Sequence, residues 1–158
     1  MPMKKILFLD FDGVMDTKYY DLILNEHGLP VKDEFGVVFD PVCVENLKHI
    51  IEKTGVEIVV TSTWKYFMKY EDFLEMWKER ELPGFITGVT PNLDYTKIRG
   101  NEIEAWLSTC TESCNYVIID DLDGQNFLEH QIPRLIVVNP YTGLDEDSAE
   151  RAIRLLMS

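Results

Sequence analysis

Four carboxylates stand where apolar runs stop. Asp10 and Asp12 follow Ile6-Leu7-Phe8-Leu9, and Asp120 and Asp121 follow Tyr116-Val117-Ile118-Ile119. A charge at the end of a buried strand loses part of its hydration, a cost that a counter-charge or hydrogen bonds must offset. Asp10 and Asp12, two positions apart, point to one side while the chain stays extended. With Asp120 or Asp121 they make the all-oxygen, partly hydrated donor set that magnesium takes. A third apolar run, ending at Val60, leads into the hydroxyls of Thr61-Ser62-Thr63 and then Trp64. Any one of these acids reads equally well as a helix cap or a loop acceptor. All four together, each at a strand end, point to a metal.

The elements that must position them are legible from the pattern. Residues 5–9, 56–60, 116–119 and 135–138 have the length and β-branched content of strands buried on both faces, as in a parallel sheet. Between them Asp40 caps a helix with Pro41 at its first position. Val44, Leu47, Ile50 and Ile51 form its apolar stripe, and Gly55 ends it. Helical spacing returns over residues 99–110, with Ile103, Trp106, Leu107 and Cys110, and again from about Asp145, with Ala149, Ala152, Ile153 and Leu156. Strand and helix in alternation predict an α/β fold, a single doubly wound, Rossmann-like parallel sheet whose ligands gather outside the carboxyl ends of the strands. Residues 13–39, with Gly28, Pro30 and Gly36, read as a small hairpin flap, too short for a full cap domain. Residues 64–84 read as one amphipathic helix whose face is Trp64, Tyr66, Phe67, Tyr70, Phe73 and Trp77.

The 158 residues predict one domain over 1–158. Fifteen basic against 28 acidic side chains give a net charge of −13, which disfavours an unspecific nucleic-acid coat or a membrane-surface protein. Cys43, Cys110 and Cys114 cannot pair completely and contain no CxxC, so they read as thiols of a reduced, cytoplasmic protein. The apolar run after Lys4-Lys5 is too short for a signal peptide or a membrane span. His27, His49 and His130 lack metal-like spacing and read as surface or packing residues.

Asp10-Phe11-Asp12-Gly13-Val14 after an apolar strand, a hydroxyl residue closing the next, and Asp120-Asp121 closing a later one resemble the haloacid dehalogenase (HAD) phosphohydrolases. Thr61-Ser62-Thr63-Trp64-Lys65, Arg99-Gly100-Asn101-Glu102-Ile103 with Trp106-Leu107, and Asn139-Pro140 before Gly143-Leu144 are similar to a small HAD subgroup found as a domain in RNA-repair-associated proteins and in stand-alone bacterial or phage proteins. The resemblance covers essentially the whole chain. It implies a magnesium-dependent phosphatase in which Asp10 is the nucleophile and Asp12 the general acid and base. Magnesium would be held by Asp10, the Asp12 backbone carbonyl and the Asp120–Asp121 pair. Gly13 would turn its amide to the phosphate. Thr61 or Ser62, with Ser62 preferred, would bind a phosphoryl oxygen, with Thr63 beside it. The phosphoryl-binding cation would be Lys97, in preference to Arg99, because lysine supplies a compact point charge. The substrate is a phosphomonoester, a small molecule or a polynucleotide end, and no membrane partner is expected. Two other functions compete. A phosphoacceptor receiver places its acid pair after the first strand and a lone Asp at the third, an order this chain lacks. A degenerate HAD-fold binding module would not need Asp10 and Asp12 intact.

Overall fold

The computed structural model describes residues 3–93 and 98–158. Its centre is a parallel sheet built around β1 (Lys4–Leu9). After β1 the chain forms helix α1 (Lys18–Glu26) and a two-stranded antiparallel hairpin, β2 (Lys32–Asp33) with β3 (Gly36–Val37). Helix α2 (Pro41–Thr54) leads into β4 (Glu57–Val60), a 3-10 turn at Thr63–Tyr66, helix α3 (Tyr70–Glu79) and strand β5 (Ile86–Val89). Helix α4 (Arg99–Leu107), strand β6 (Cys114–Asp120), two short 3-10 segments, strand β7 (Leu135–Val137) and helix α5 (Glu146–Met157) complete it. The main sheet runs β5-β4-β1-β6-β7, every pair parallel.

Alternation along the strands builds both cores. Leu7 and Leu9 of β1 join Ile58, Val60, Val117 and Ile119 in the larger core, under α2, α3 and α5. Ile6 and Phe8 face the other way, toward Ile103 of α4 and Phe127. A sheet buried on both faces explains why its strands read as continuous apolar runs. Caps set the helix boundaries. The Asp40 carboxylate accepts from the Val42 N–H, Pro41 opens α2, and Gly55 closes it in the left-handed region. Asp145 accepts from the Ser148 N–H at the start of α5.

Three expectations are corrected. Residues 64–84 are not one helix. Ser62 caps the 3-10 turn, Trp64 accepts from the N–H groups of Phe67 and Met68, and a new helix starts after Lys69, whose N–H bonds to Asp72. The break divides the aromatic stripe: Trp64, Phe73 and Trp77 are core, whereas Tyr66, Phe67 and Tyr70 are exposed. Residues 13–39 hold a helix, α1, besides the hairpin, because Thr17 accepts from the Tyr20 N–H and starts it; Phe39, assigned to the flap, is buried. Strand β5 lacks a strong sequence signal, and the helix expected over 99–110 stops at Leu107.

Candidate active site

Strand register sets the first row of the site. Leu9 of β1 pairs with Val60 of β4 on one side and Ile119 of β6 on the other. The next residues, Thr61, Asp10 and Asp120, therefore emerge together at the carboxyl edge of three neighbouring strands. The Asp10 N–H donates to the Ile119 carbonyl at 3.2 Å and the Thr61 N–H to the Leu9 carbonyl at 3.0 Å, which carries the ladder one step past the strands.

Asp10 is 4% exposed and Asp120 is fully buried. One carboxylate oxygen from each of Asp10, Asp120 and Asp121 lies within 4.8 Å of the others. Burial first, then the neighbouring Asp120 charge, pushes the Asp10 carboxyl well above the usual carboxylate range, and Arg99 opposes this. Asp121 is raised for the same two reasons, burial before Asp120. Arg99 bridges the cluster: its Nη1 lies 2.8 Å from Asp120 Oδ2 and 3.2 Å from Asp10 Oδ2. Burial alone would lower its pKa, but the two carboxylates outweigh that and hold the guanidinium more firmly protonated than usual. Among the described residues, three carboxylates face one guanidinium in an all-oxygen nest. That donor chemistry fits a hard divalent cation.

Asp12 stands apart from that triad. It is exposed, and its Oδ1 accepts from Trp64 Nε1 at 3.1 Å. Behind it Asp16 is buried, and burial together with a hydrogen bond to Asp12 lifts its carboxyl to about 9. Gly13 sits at φ +79, and a Cβ there would fall 2.5 Å from Asp121 Oδ2 and 3.0 Å from Pro140 Cβ. Only glycine fits so close to the acids. Its amide, the expected phosphate donor, is engaged within the protein. It donates to the Asp16 carbonyl at 3.0 Å, because residues 11–16 close into a tight turn.

The hydroxyls divide clearly. Ser62 Oγ accepts from the Trp64 N–H at 3.2 Å and so serves as a cap. Thr63 is exposed. Thr61 Oγ1 is buried and has no hydrogen-bond partner among the described residues. A buried hydroxyl without a partner is costly, so this group is free to pair with a polar atom brought to the site. Lys97, the preferred cation of the sequence analysis, lies outside the described residues; among those described, Arg99 is a cation that reaches the carboxylates. Sequence reasoning missed the pairing of Lys65, whose buried side chain lies 2.5 Å from Glu102 Oε1 on α4 and 3.0 Å from Thr90 Oγ1. Glu102 also accepts from the Leu93 N–H, so the pair ties α4 to the segments that follow β4 and β5. Lys65 beside the hydroxyl run was the available signal, but its partner is 37 positions away.

Over residues 6–149 the chain matches the family described as the HAD domain in Swiss Army Knife RNA repair proteins. The chain belongs to this family. No curated protein and no solved structure matches it significantly. Membership places this HAD domain within a superfamily of phosphohydrolases and associates it with RNA repair. The acid cluster at the carboxyl edge of β1 and β6 can bind a metal. Among the described residues no helix is long and apolar enough to cross a membrane.

Proposed function

We propose that this HAD domain is a magnesium-dependent phosphatase that removes a phosphomonoester from a polynucleotide end through an aspartyl-phosphate on Asp10. The observation that carries the reading is the nest of Asp10, Asp120 and Asp121, with Arg99 paired to Asp10 and Asp120, at the strand edge that also holds the partnerless Thr61 hydroxyl. An Asp10 oxygen attacks phosphorus as the bond to the ester oxygen breaks, and Asp12 gives that departing alkoxide its proton. Asp12 then takes a proton from the water that attacks the phosphoryl-aspartate, which releases phosphate and restores the Asp10 carboxylate. Arg99 and the Thr61 hydroxyl hold phosphoryl oxygens, and Trp64 fixes the Asp12 carboxylate. Asp10, Asp120 and Asp121 would hold magnesium, which would supply positive charge between the anionic nucleophile and the anionic substrate.

Phosphate release from 3′- and 5′-phosphorylated RNA and DNA, with nucleotides and sugar phosphates for comparison, tests the reading. Release should require magnesium and vanish in Asp10→Asn, whose melting curve should stay cooperative. Substantial turnover in that variant would remove Asp10 from the role. Binding of phosphorylated ends without release would favour a degenerate binding module instead.

A further inference from the structure

We infer that Tyr19 and Tyr141 form a platform on which the terminal nucleobase of the substrate stacks. This rests on the reading of the chain as a phosphatase of polynucleotide ends, and it names how such an end is recognised. The two rings pack against each other, centroids 5.9 Å apart at 58°, yet Tyr19 is 48% and Tyr141 44% exposed. They lie outside both cores and leave aromatic surface uncovered.

Their place relative to the acids is set by the backbone. Pro140 Cβ lies 3.0 Å from the point where a Gly13 Cβ would stand, the same point that is 2.5 Å from Asp121 Oδ2. Tyr141 is the next residue. The Lys18 N–H donates to the Pro140 carbonyl at 3.4 Å, and the Tyr19 N–H to the Tyr141 carbonyl at 3.1 Å, so the start of α1 is laced to the turn after β7. That turn is held from within: Asn139 Oδ1 accepts from the Tyr141 N–H at 2.9 Å, and the Asn139 carbonyl from the Gly143 N–H at 2.7 Å. The α1 side is anchored by Thr17, whose hydroxyl donates to the buried Asp40 carboxylate at 2.7 Å. The backbone that carries the two rings is therefore fixed beside the turn at Gly13 and Asp121.

Charge says why a platform of this kind is needed. A chain of net charge −13 gains little from a phosphate backbone through counterion release. Stacking on an aromatic face is available to every base and does not depend on a basic groove. Exposed Lys18, adjacent to Tyr19, adds a single cation to this surface. A terminal nucleotide gripped by its base leaves its phosphate beside Asp121 and Asp10.

The test compares a phosphorylated RNA hexamer with the same hexamer carrying an abasic terminal nucleotide, both in magnesium. The wild type should prefer the base-bearing end by about tenfold or more in kcat/KM, as expected for one stacked base. Tyr19→Ala and Tyr141→Ala should each shrink that ratio, and the double variant should bring it near one. Tyr141→Phe, which keeps the ring, should preserve it. A wild-type ratio near one, or a preference that survives the double substitution, overturns the platform. A hexamer ending in 2-aminopurine reports on the same contact without turnover. Its fluorescence should be quenched by the wild type and not by the folded double variant. Equal behaviour of the two proteins in that measurement, including no binding by either, also overturns it. If no substrate, p-nitrophenyl phosphate included, releases phosphate, the phosphatase reading fails separately, and the quenching still decides on the platform.

Discussion

Among the described residues Arg99 is the cation that touches both Asp10 and Asp120. Its attraction should strengthen as charge moves onto the phosphoryl oxygens, so its loss should lower turnover more than binding. Arg99→Ala is expected to reduce kcat by about a hundredfold or more. Lys97→Ala, measured beside it, should cost less; the reverse order would return the role to Lys97. On the proposed mechanism Trp64 would act through Asp12. Trp64→Phe keeps a ring in the core but removes the N–H that holds the Asp12 carboxylate. The variant should hydrolyse p-nitrophenyl phosphate, whose leaving group needs little proton assistance, almost as the wild type does. It should lose about tenfold on an alkyl phosphate, which needs the general acid. Equal losses on both substrates would reduce Trp64 to packing. The hydroxyls separate by a different pair of readouts. Ser62→Ala removes a cap worth about 1 kcal/mol and should lower Tm by about 2–4 °C. Thr61→Val deletes a partnerless buried hydroxyl and should leave Tm unchanged or raised while activity falls. Thermal melts and steady-state kinetics on the two variants decide between them.

Helix α4 is the element that aims Arg99, and it is seated by the absence of a side chain. A Cβ on Gly100 would meet the Gln131 amide oxygen and come within 2.8 Å of both Leu128 N and Phe127 Cα. Gln131 in turn donates to the Gly100 carbonyl at 2.9 Å. The buried Lys65–Glu102 pair holds the next turn of the same helix. Glycine to alanine within a helix ordinarily gains about 1 kcal/mol. Here the clash with backbone should reverse the sign: overpacking costs about 1–3 kcal/mol. Gly100→Ala is expected to lower Tm by a few degrees and to depress kcat by displacing Arg99. A rise in Tm would mean that α4 can shift freely against residues 127–131.

For the whole molecule, pH and a metal bound at the acid nest would be linked. Asp10 and Asp121 hold protons to higher pH in the fold than in the unfolded chain. Between the ordinary carboxylate range, about pH 4, and those raised values the unfolded chain has released protons that the fold still binds. Without metal, stability therefore falls as pH rises through that window. A divalent cation displaces the protons and offsets the repulsion, so its stabilisation should grow with pH. Millimolar magnesium should raise Tm by about 3 °C or more near pH 8 and by less near pH 5.5. Replacing Asp120 and Asp121 together by Ala should erase the shift. Identical wild-type melting curves with and without the ion would remove the metal from the nest.

Local signals carried much of this protein in its sequence. Apolar runs located four of the five strands of the main sheet because burial on both faces leaves no alternation to misread. Asp40, Pro41 and Gly55 bounded α2, and Asp145 opened α5, because caps act within a few residues of the helix end. The acids at the ends of β1 and β6 were visible as the place where each apolar run stops. What the sequence could not decide was everything that depends on which segments meet. Arg99 reaches Asp120 across 21 positions, and Trp64 reaches Asp12 across 52. Ser62 and Thr61 are neighbours of the same chemistry, and only the turn after β4 engages one hydroxyl and leaves the other buried without a partner. Strand register and helix placement, which set the distances between remote segments, put Arg99 against Asp10 and Asp120 and leave the Thr61 hydroxyl without a partner among the described residues.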